Sequence, residues 1–385
     1  MSKILLATSS PLGEEAIGKV ALYLSEALAR EGLLKSLVYT QGHPLEKSSP
    51  MALKVHPLRI PFISRFDWGR KLVLQYREAH YQKITAGLIT PETGLYYGWM
   101  LQSRKPLEKC KQQGVRSAVE CGSIYPATYQ QIVSKELNKN NISSSPWHMT
   151  ERWLTDSLYE LSLADLIVSP SQLAADTFIK QGFKPENSIV LPPGVDCQFF
   201  KPSASLAKKK DVLLYVGRLE LAKGVHHLIS AWKKVKGQER KLWLIGNMQP
   251  CLRQWLKQNS ERLDESIEFF GIKTDLRPFF GQALFTVLPS LADGFGMAVM
   301  EGMAAGLPAI VTDNCGIKMA IDDGKNGWIV PPANVEILAE AIEKAFSNSD
   351  TTKEMGCRAR TEAMNYSWNR FQEKAVSLLG IFLKQ

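Results

Sequence analysis

The sequence has 385 residues, of which 45% are hydrophobic and 22% charged. This composition is typical of a globular protein and excludes a disordered or fibrous one. The length exceeds what one hydrophobic core usually serves, so two domains are expected. The formal net charge of +9 favours anionic partners or an anionic membrane surface. We expect no nucleic acid partner, because the sequence has no RNA-binding signature and no zinc-finger spacing.

The cysteines and the N-terminus indicate an intracellular protein. The 6 cysteines form no C-x-x-C pair and no zinc-type spacing with histidine, so reduced thiols are expected. The N-terminal apolar run is too short for a signal peptide and is interpreted as a strand. No run approaches the length of a membrane span. We therefore predict a cytoplasmic location, with peripheral contact at the inner face of a membrane as a further expectation.

The chain begins with a β–loop–α–β pattern. Lys3–Thr8 is predicted as a strand, Glu14–Arg30 as an amphipathic helix and Leu37–Tyr39 as the next strand. Gly13 lies in the first loop, where a single glycine by itself indicates only a turn. The pattern favours an α/β fold with a parallel sheet.

A basic and aromatic segment, Arg65–Lys83, follows after a less regular stretch. A helix of this composition can lie on a membrane surface. The alternative is a helix whose apolar side packs on the sheet, which is the commoner use of such a pattern.

The first half ends with a strand, a helix and a hinge. Ser117–Glu120 is predicted as a strand and Glu151–Leu163 as a helix. Pro193-Gly194-Val195-Asp196 has the composition of a linker with fixed ends. We therefore divide the chain into an N-terminal domain, 1–200, and a C-terminal domain, 201–366. The last helix, about 367–385, is predicted to cross back to the first domain.

The second domain opens with a buried strand, Val212–Val216, followed directly by two cations. Arg218 and Lys223 are separated by four residues, and Gly217 and Gly224 flank them. A guanidinium and an ammonium at the carboxyl end of a strand can neutralise a diphosphate. The alternative is two solvated surface cations.

The next two residues of interest are adjacent histidines. His226 and His227 fall on a predicted helix, so they are expected to face different ways, and both are interpreted as structural.

The stretch with most chemical content is 283–313. Two short apolar runs, Leu284–Leu288 and Ala309–Thr312, are predicted as buried parallel strands around a helix, Met297–Ala305. A glycine-containing loop precedes the helix, where backbone N–H groups and the helix dipole favour phosphate. Asp293 and Glu301 flank this helix start and suit sugar hydroxyls. The alternative is a solvated aspartate and a helical glutamate that favours the dipole.

These motifs resemble the signature of the family 4 glycosyltransferases, which have the GT-B fold and retain anomeric configuration. The resemblance rests on Gly217-Arg218 with Lys223-Gly224, on 293–308, and on the hinge, in the order in which the family has them. The family motif has two glutamates separated by seven residues, and here Asp293 replaces the first. In one bacterial branch a histidine stands where this sequence has Tyr125.

The resemblance implies a role for each of these residues. Arg218, Lys223 and Asp293 would be catalytic: the two cations would stabilise the leaving diphosphate, and Asp293 would hold sugar hydroxyls. Glu301 would bind the ribose. The backbone near Ile272 would meet the base, and Gly13 would approach the diphosphate from the first domain. The remaining substrate-binding positions are Gly217, Gly294, Phe295, Gly296, Met297 and Tyr125.

The sequence thus predicts an α/β chain with the GT-B architecture, in which two Rossmann-like domains with parallel sheets face each other across a cleft. The predicted function is transfer of a sugar from a nucleoside diphosphate sugar to a glycan, lipid-linked or small-molecule acceptor, with bacterial surface polysaccharide or glycoconjugate synthesis as the setting. We expect no cofactor and no metal. Two alternatives stay open: a non-catalytic scaffold that binds a sugar nucleotide, and a sugar-nucleotide epimerase of the same fold.

Overall fold

The computed structural model describes residues 3–56, 67–143, 150–202, 211–237 and 239–384. Within these ranges the chain forms two separate parallel sheets, one of seven strands and one of six. All strand pairs in both sheets are parallel. Parallel sheets need both faces covered, which explains why most strands are continuous apolar runs.

The first sheet and its helices come from the first half of the chain. Its strand order is β3-β2-β1-β4-β5-β6-β7. The strands are β1 Lys3–Thr8, β2 Leu34–Tyr39, β3 Ala52–Lys54, β4 Thr93–Trp99, β5 Arg116–Glu120, β6 Leu166–Ser169 and β7 Ser188–Val190. The helices are α1 Glu15–Arg30, α2 Asp67–Gly87, α3 Arg104–Gln113, α4 Pro126–Lys139, α5 Glu151–Leu163 and α6 Gln172–Ile179.

The second sheet has the order β10-β9-β8-β11-β12-β13. Its strands are β8 Val212–Val216, β9 Lys241–Ile245, β10 Ile267–Gly271, β11 Phe285–Leu288, β12 Ala309–Thr312 and β13 Gly327–Val330. The remaining helices are α7 Val225–Trp232, α8 Pro250–Gln258, α9 Arg277–Gln282, α10 Met297–Ala304, α11 Val335–Ser347, α12 Ser349–Ala363 and α13 Trp368–Lys384.

The strand order reverses between β8 and β11 in the second sheet and between β1 and β4 in the first. In open parallel sheets a ligand crevice forms at such a reversal, outside the carboxyl ends of the strands. The loops that leave β8 and β11 carry the motifs singled out in the sequence, so the topology places those motifs side by side.

The last helix returns to the first domain. Trp368, Phe371 and Leu379 of α13 are buried in the apolar cluster that also contains Val20 and Leu24 of α1. The ring of Tyr23 stacks on Trp368 with centroids 4.2 Å apart. Each fully buried side chain of this size contributes roughly 1.5–3 kcal/mol, so α13 ties the end of the second domain firmly to the first.

Other contacts close the two domains on each other. Tyr129 and Val133 of α4 belong to the same apolar cluster as Leu221 and Ala222 of the second domain. The Ser171 hydroxyl of the first domain donates a 2.7 Å hydrogen bond to the carbonyl oxygen of Gly294. The structure is therefore a closed arrangement with a narrow cleft.

The predicted basic helix corresponds to α2, although Arg65 and Phe66 lie outside the described residues. Val73 and Tyr81 are buried, whereas Leu74 and Tyr76 are exposed. The helix therefore packs on the domain, and contact of its outer side with a membrane stays a prediction. Among the described residues, no helix combines the length and the apolar character needed to cross a bilayer. All six cysteines are free thiols.

Candidate active site

A cavity of about 220 Å³ lies between the domains at the carboxyl ends of the sheets. We call it the smaller cavity. The first domain lines it with residues from α1 and from the loop after β5, and the second domain lines it with the loops after β8 and β11. Its lining residues from the predicted motifs are Gly217, Lys223, Asp293, Phe295, Gly296 and Met297.

Lys223 and Asp293 form an ion pair in the wall of the smaller cavity. The Lys223 ammonium donates a 2.6 Å hydrogen bond to Asp293 Oδ2, and the two side chains are 17% and 13% exposed. Lys223 ends a short 3-10 helix directly before α7, and Asp293 lies in the loop between β11 and α10. Because neighbouring strands precede these two loops, one cation and one carboxylate meet in a site that is largely shielded from water.

The turn before α10 places backbone N–H groups in the same wall. Gly296 is the N-cap of α10 and has a φ of 109°, a conformation that favours glycine. The N–H groups of Met297 and Ala298 belong to the first turn and have no intrahelical acceptor, and both residues line the cavity. The N–H of Phe295 is already used, since it donates to Asp293 Oδ1 at 3.2 Å. Two N–H groups and the positive end of the helix dipole are thus available to an anion.

A larger cavity, of about 440 Å³, adjoins the smaller one, and Met297 lines both. Glu301 and Lys19 form an ion pair in its wall, with Lys19 Nζ 3.3 Å from Glu301 Oε1. Lys19 comes from α1 of the first domain and Glu301 from α10 of the second. Burial raises the pKa of the Glu301 carboxyl, and Lys19 opposes that shift.

Arg218 does not line either cavity in the described part of the chain. Its guanidinium lies 3.1 Å from Glu220 Oε1, and the two side chains are 49% and 1% exposed. The two groups form an ion pair without an aligned hydrogen bond. Both carboxylate oxygens of Glu220 are buried and have no hydrogen-bond partner among the described residues. Burial raises the pKa of Glu220, while Arg218 and Lys223 lower it. Glu220 therefore holds Arg218 beside the cleft rather than in it.

The remaining predicted residues are spread around the cleft. Gly13 lines the larger cavity. Ile272 is 72% exposed, and its neighbours Lys273 and Thr274 line that cavity instead. The ring of Tyr125 packs edge-on against Phe178 with centroids 5.5 Å apart. The structure therefore does not bring Tyr125 into either cavity wall.

Glu120 is a cleft residue that the sequence analysis did not single out. It is the last residue of β5, lines the smaller cavity and accepts a 2.6 Å hydrogen bond from the Tyr97 hydroxyl. Packing around the carboxyl group raises its pKa to about 7, and the bond from Tyr97 opposes this rise. The available sequence signal was its position as the last residue of the predicted strand Ser117–Glu120, because ligands bind at the carboxyl ends of parallel strands.

The raised pKa of Glu120 predicts a pH-dependent stability. Unfolding lowers this pKa from about 7 to 4.5, so between these pH values the unfolded chain has lost a proton that the folded chain keeps. The contribution of Glu120 to stability is then largest below pH 4.5 and falls as the pH rises toward 7. We expect Glu120→Gln to be more stable than the wild type at pH 8, by an amount on the order of 1–2 kcal/mol. The full pKa difference would give more, but the cavity admits water to the carboxyl group.

Urea unfolding of both proteins from pH 5 to pH 8 measures this difference. Glu340→Gln is the matched control, because Glu340 is exposed on α11. The wild type and the control should lose the same stability over this range. Parallel curves for the wild type and Glu120→Gln would contradict the assigned pKa.

Part of the chain is similar to a described protein family. Residues 197–362 match the family model described as Glycosyl transferases group 1. The chain is 29% identical over 230 residues to the putative colanic acid biosynthesis glycosyltransferase WcaL of Salmonella typhimurium, a match that covers 56% of each protein. The chain spans about half the length of the curated relatives it matches.

Solved structures resemble the whole chain. Sucrose-phosphate synthase from Thermosynechococcus elongatus aligns over 100% of both chains with a TM-score of 0.75 and 20% identity. HepE from Anabaena, in complex with UDP-glucose, aligns over 99% of this chain and 100% of its own with a TM-score of 0.67 and 17% identity. Residues 197–362 are therefore similar to the glycosyl transferases group 1 family, and the chain as a whole has the GT-B fold.

Proposed function

We propose that this chain is a retaining glycosyltransferase that takes its sugar from a nucleoside diphosphate sugar bound in the cleft. The observation that carries the proposal is the meeting of Lys223, Asp293 and the first turn of α10 in one enclosed wall. A cation and two N–H groups suit the diphosphate, and a carboxylate beside them suits the hydroxyls of the attached sugar.

The two adjoining cavities divide the donor between them. The larger cavity takes the nucleoside, with the Glu301 carboxylate on the ribose hydroxyls and Lys273 and Thr274 near the base. The smaller cavity takes the diphosphate and the transferred sugar. Met297 lines both cavities and marks the point where the diphosphate passes from one to the other.

The chemistry we propose is displacement on one face of the sugar. The bond between the anomeric carbon and the diphosphate oxygen breaks, and a bond to the acceptor oxygen forms on the same side. The leaving phosphate oxygen takes the proton of the acceptor hydroxyl. Lys223 and the α10 dipole stabilise the charge that develops on the diphosphate, which supplies the main electrostatic assistance. Proton NMR of the product, which distinguishes the two anomers, tests the stereochemistry.

The acceptor we propose is a growing surface glycan, either free or lipid-linked. The name of the WcaL relative refers to colanic acid biosynthesis, and the net charge of +9 would favour an anionic glycan or an anionic membrane surface. Sedimentation with vesicles that contain or lack anionic lipid tests the membrane contact.

A mass-spectrometric screen of UDP-, GDP- and ADP-sugars tests the proposed function. UDP-glucose is the first donor to test, because HepE, which has a similar fold, was solved in complex with UDP-glucose. Slow release of nucleotide and free sugar supports a transferase, and so does faster release with a glycan acceptor. Conversion of the donor sugar to its epimer, which has the same mass and is detected by proton NMR, would overturn the transferase. Tight donor binding without any turnover would support a scaffold.

Replacing Glu301 with alanine should weaken nucleotide binding. A hydrogen bond to a charged group contributes roughly 1.5–3 kcal/mol, so we expect the Kd for the nucleoside diphosphate to rise about tenfold or more. Lys19 loses its partner in this variant, but its side chain is 34% exposed. The loss of the ion pair should therefore lower the stability only slightly. Isothermal titration calorimetry measures the change.

The same calorimetry on the wild type with a deoxyribose nucleotide provides the control for the Glu301 assignment. If Glu301 holds the ribose hydroxyls, the wild type should lose affinity for the deoxy form, and the variant should bind both forms equally. An unchanged Kd in Glu301→Ala would contradict the placement of the ribose.

A further inference from the structure

A buried cluster of one carboxylate and two imidazoles lies at the seam between the domains. Glu136 is on α4 of the first domain, and His226 and His227 begin α7 of the second. All three side chains are buried, and their ligand-type atoms lie within 4.8 Å of one another. The expectation that the two histidines face different ways is wrong.

The two histidines converge although neighbouring residues on a helix point about 100° apart. His226 Nε2 lies 2.8 Å and His227 Nε2 lies 3.0 Å from the same oxygen, Oε1 of Glu136. The centroids of the two imidazole rings are only 3.9 Å apart. One oxygen is thus the common focus of two ring nitrogens from a different domain.

The hydrogen bonding of this cluster is incomplete. His227 Nε2 has no aligned hydrogen bond in the described part of the chain despite its short distance to Glu136, and His226 Nδ1 is also without a partner there. Buried polar atoms are normally satisfied, and an exception calls for a water molecule or an ion. Two atoms that bind the same metal ion lie close together without pointing at each other. His227 Nε2 and Glu136 Oε1 have this arrangement.

We propose that Glu136, His226 and His227 form a divalent metal site of the zinc type that joins the two domains. Two imidazole nitrogens and one carboxylate oxygen are ligands that Zn²⁺ prefers, and a fourth, solvent-derived ligand completes a tetrahedron. Ligand atoms in such a tetrahedron are roughly 3.3 Å apart. Glu136 Oε1 lies 2.8 Å and 3.0 Å from the two imidazole nitrogens, so it needs to move by only a few tenths of an ångström. This inference does not rest on the proposed function, and the site lies outside both cavities of the cleft.

The surroundings of the cluster suit this role. The Asn140 amide donates a 2.8 Å hydrogen bond to Glu136 Oε1, and its carbonyl oxygen accepts a 3.2 Å bond from Trp255. Such outer partners fix the orientation of a metal ligand.

A metal at this position would link α4 to α7, and α7 begins two residues after Lys223 of the cleft. Because the ligands come from both domains, the metal would bind the closed arrangement more tightly than an open one. It would therefore shift the chain toward closure by its differential affinity for the two states.

Titration of the metal-free, tag-free full chain with Co²⁺ tests the site. We expect one equivalent of Co²⁺ to give the intense visible absorption of tetrahedral coordination, and Zn²⁺ to displace it. Glu136→Gln and His227→Asn should each weaken binding by roughly tenfold or more, while circular dichroism checks that each variant is folded.

Two control variants locate the metal. His43→Asn removes an exposed imidazole, and Asp293→Asn alters the cleft, so both should keep the absorption of the wild type. If equimolar Co²⁺ with the wild type gives only the spectrum of the free aqueous ion, the proposal is overturned without reference to any variant. It is equally overturned if Glu136→Gln and His227→Asn bind as the wild type does.

Discussion

Replacing Lys223 with alanine should lower kcat/KM for donor breakdown by roughly 10²–10³-fold, the usual effect of removing one group that stabilises developing charge. The ammonium is the cation placed inside the smaller cavity, 2.6 Å from Asp293. Without Lys223, the Asp293 carboxylate is unpaired beside the site proposed for the diphosphate. The two negative groups then repel each other, and the attraction between the lysine and the diphosphate is also lost. Because charge on the diphosphate grows as the glycosidic bond breaks, kcat should fall more than KM rises.

Three further variants separate this role from a structural one. Lys325→Ala removes a lysine that is 69% exposed and pairs with Asp322, and it should leave turnover unchanged. Lys223→Arg keeps the charge and should retain part of the activity. Combining Lys223→Ala with Asp293→Asn removes the unpaired carboxylate, so it should recover thermal stability while turnover stays low. A change in kcat/KM of less than about threefold in Lys223→Ala would show that the lysine only supports the loop.

Many elements of the fold could be predicted because their signals are local. The strands Val212–Val216 and Ala309–Thr312 and the helix Glu151–Leu163 were predicted with the bounds that the structure gives them. Both strands are short apolar runs that end at a glycine or at polar residues, which is sufficient to define a buried parallel strand. The α/β class and the two sheets follow from repetition of this pattern.

Other elements had no clear local signal. The strand β4, Thr93–Trp99, mixes two glycines with aromatic residues, and the helix α4, Pro126–Lys139, is largely polar. Both were absent from the prediction. The structure explains their composition, since α4 packs one narrow apolar side on the second domain, and a contact of that kind cannot be predicted from the helix alone.

The residues of the candidate site also differ in whether the sequence alone could predict them. Lys223, Asp293 and the turn before α10 could be found because each lies within one short motif. Glu120 and Lys19 reach the cleft only through the arrangement of the two domains. The directions of the two histidines were predicted wrongly because helical rotation fixes the Cα–Cβ direction but leaves each ring free to turn about two side-chain bonds.

Replacing Gly294 with alanine should lower kcat/KM by about 100-fold, the effect expected of a misplacement near 1 Å. A methyl group on Gly294 would lie 2.5 Å from the carbonyl oxygen of Gly122 and 2.7 Å from the Cα of Ser123. Both atoms are backbone atoms of the loop after β5 in the first domain, so no side-chain rotation relieves the clash. The two domains would have to separate instead.

This clash should affect closure and leave folding nearly unchanged, because the overlapping atoms belong to different domains. Gly380→Ala is the matched control: a methyl group there meets no atom within 4 Å, and alanine favours the helical conformation by up to about 1 kcal/mol. The control should keep full activity and equal or higher thermal stability.

Small-angle X-ray scattering with and without the donor distinguishes a closure defect from a local one. Gly294→Ala should keep the larger radius of gyration of an open cleft when the donor is added, whereas the wild type and Gly380→Ala should contract. Ser171→Ala removes the hydrogen bond to the Gly294 carbonyl oxygen and the N-cap bond that the same hydroxyl accepts from the Ala174 N–H of α6. It adds no atom between the domains, so its effect on turnover should be smaller. Wild-type turnover in Gly294→Ala would mean that the chemistry proceeds with the domains apart. The convergence of α1, the β5 loop and the α10 turn on one cavity would then not be what positions the donor.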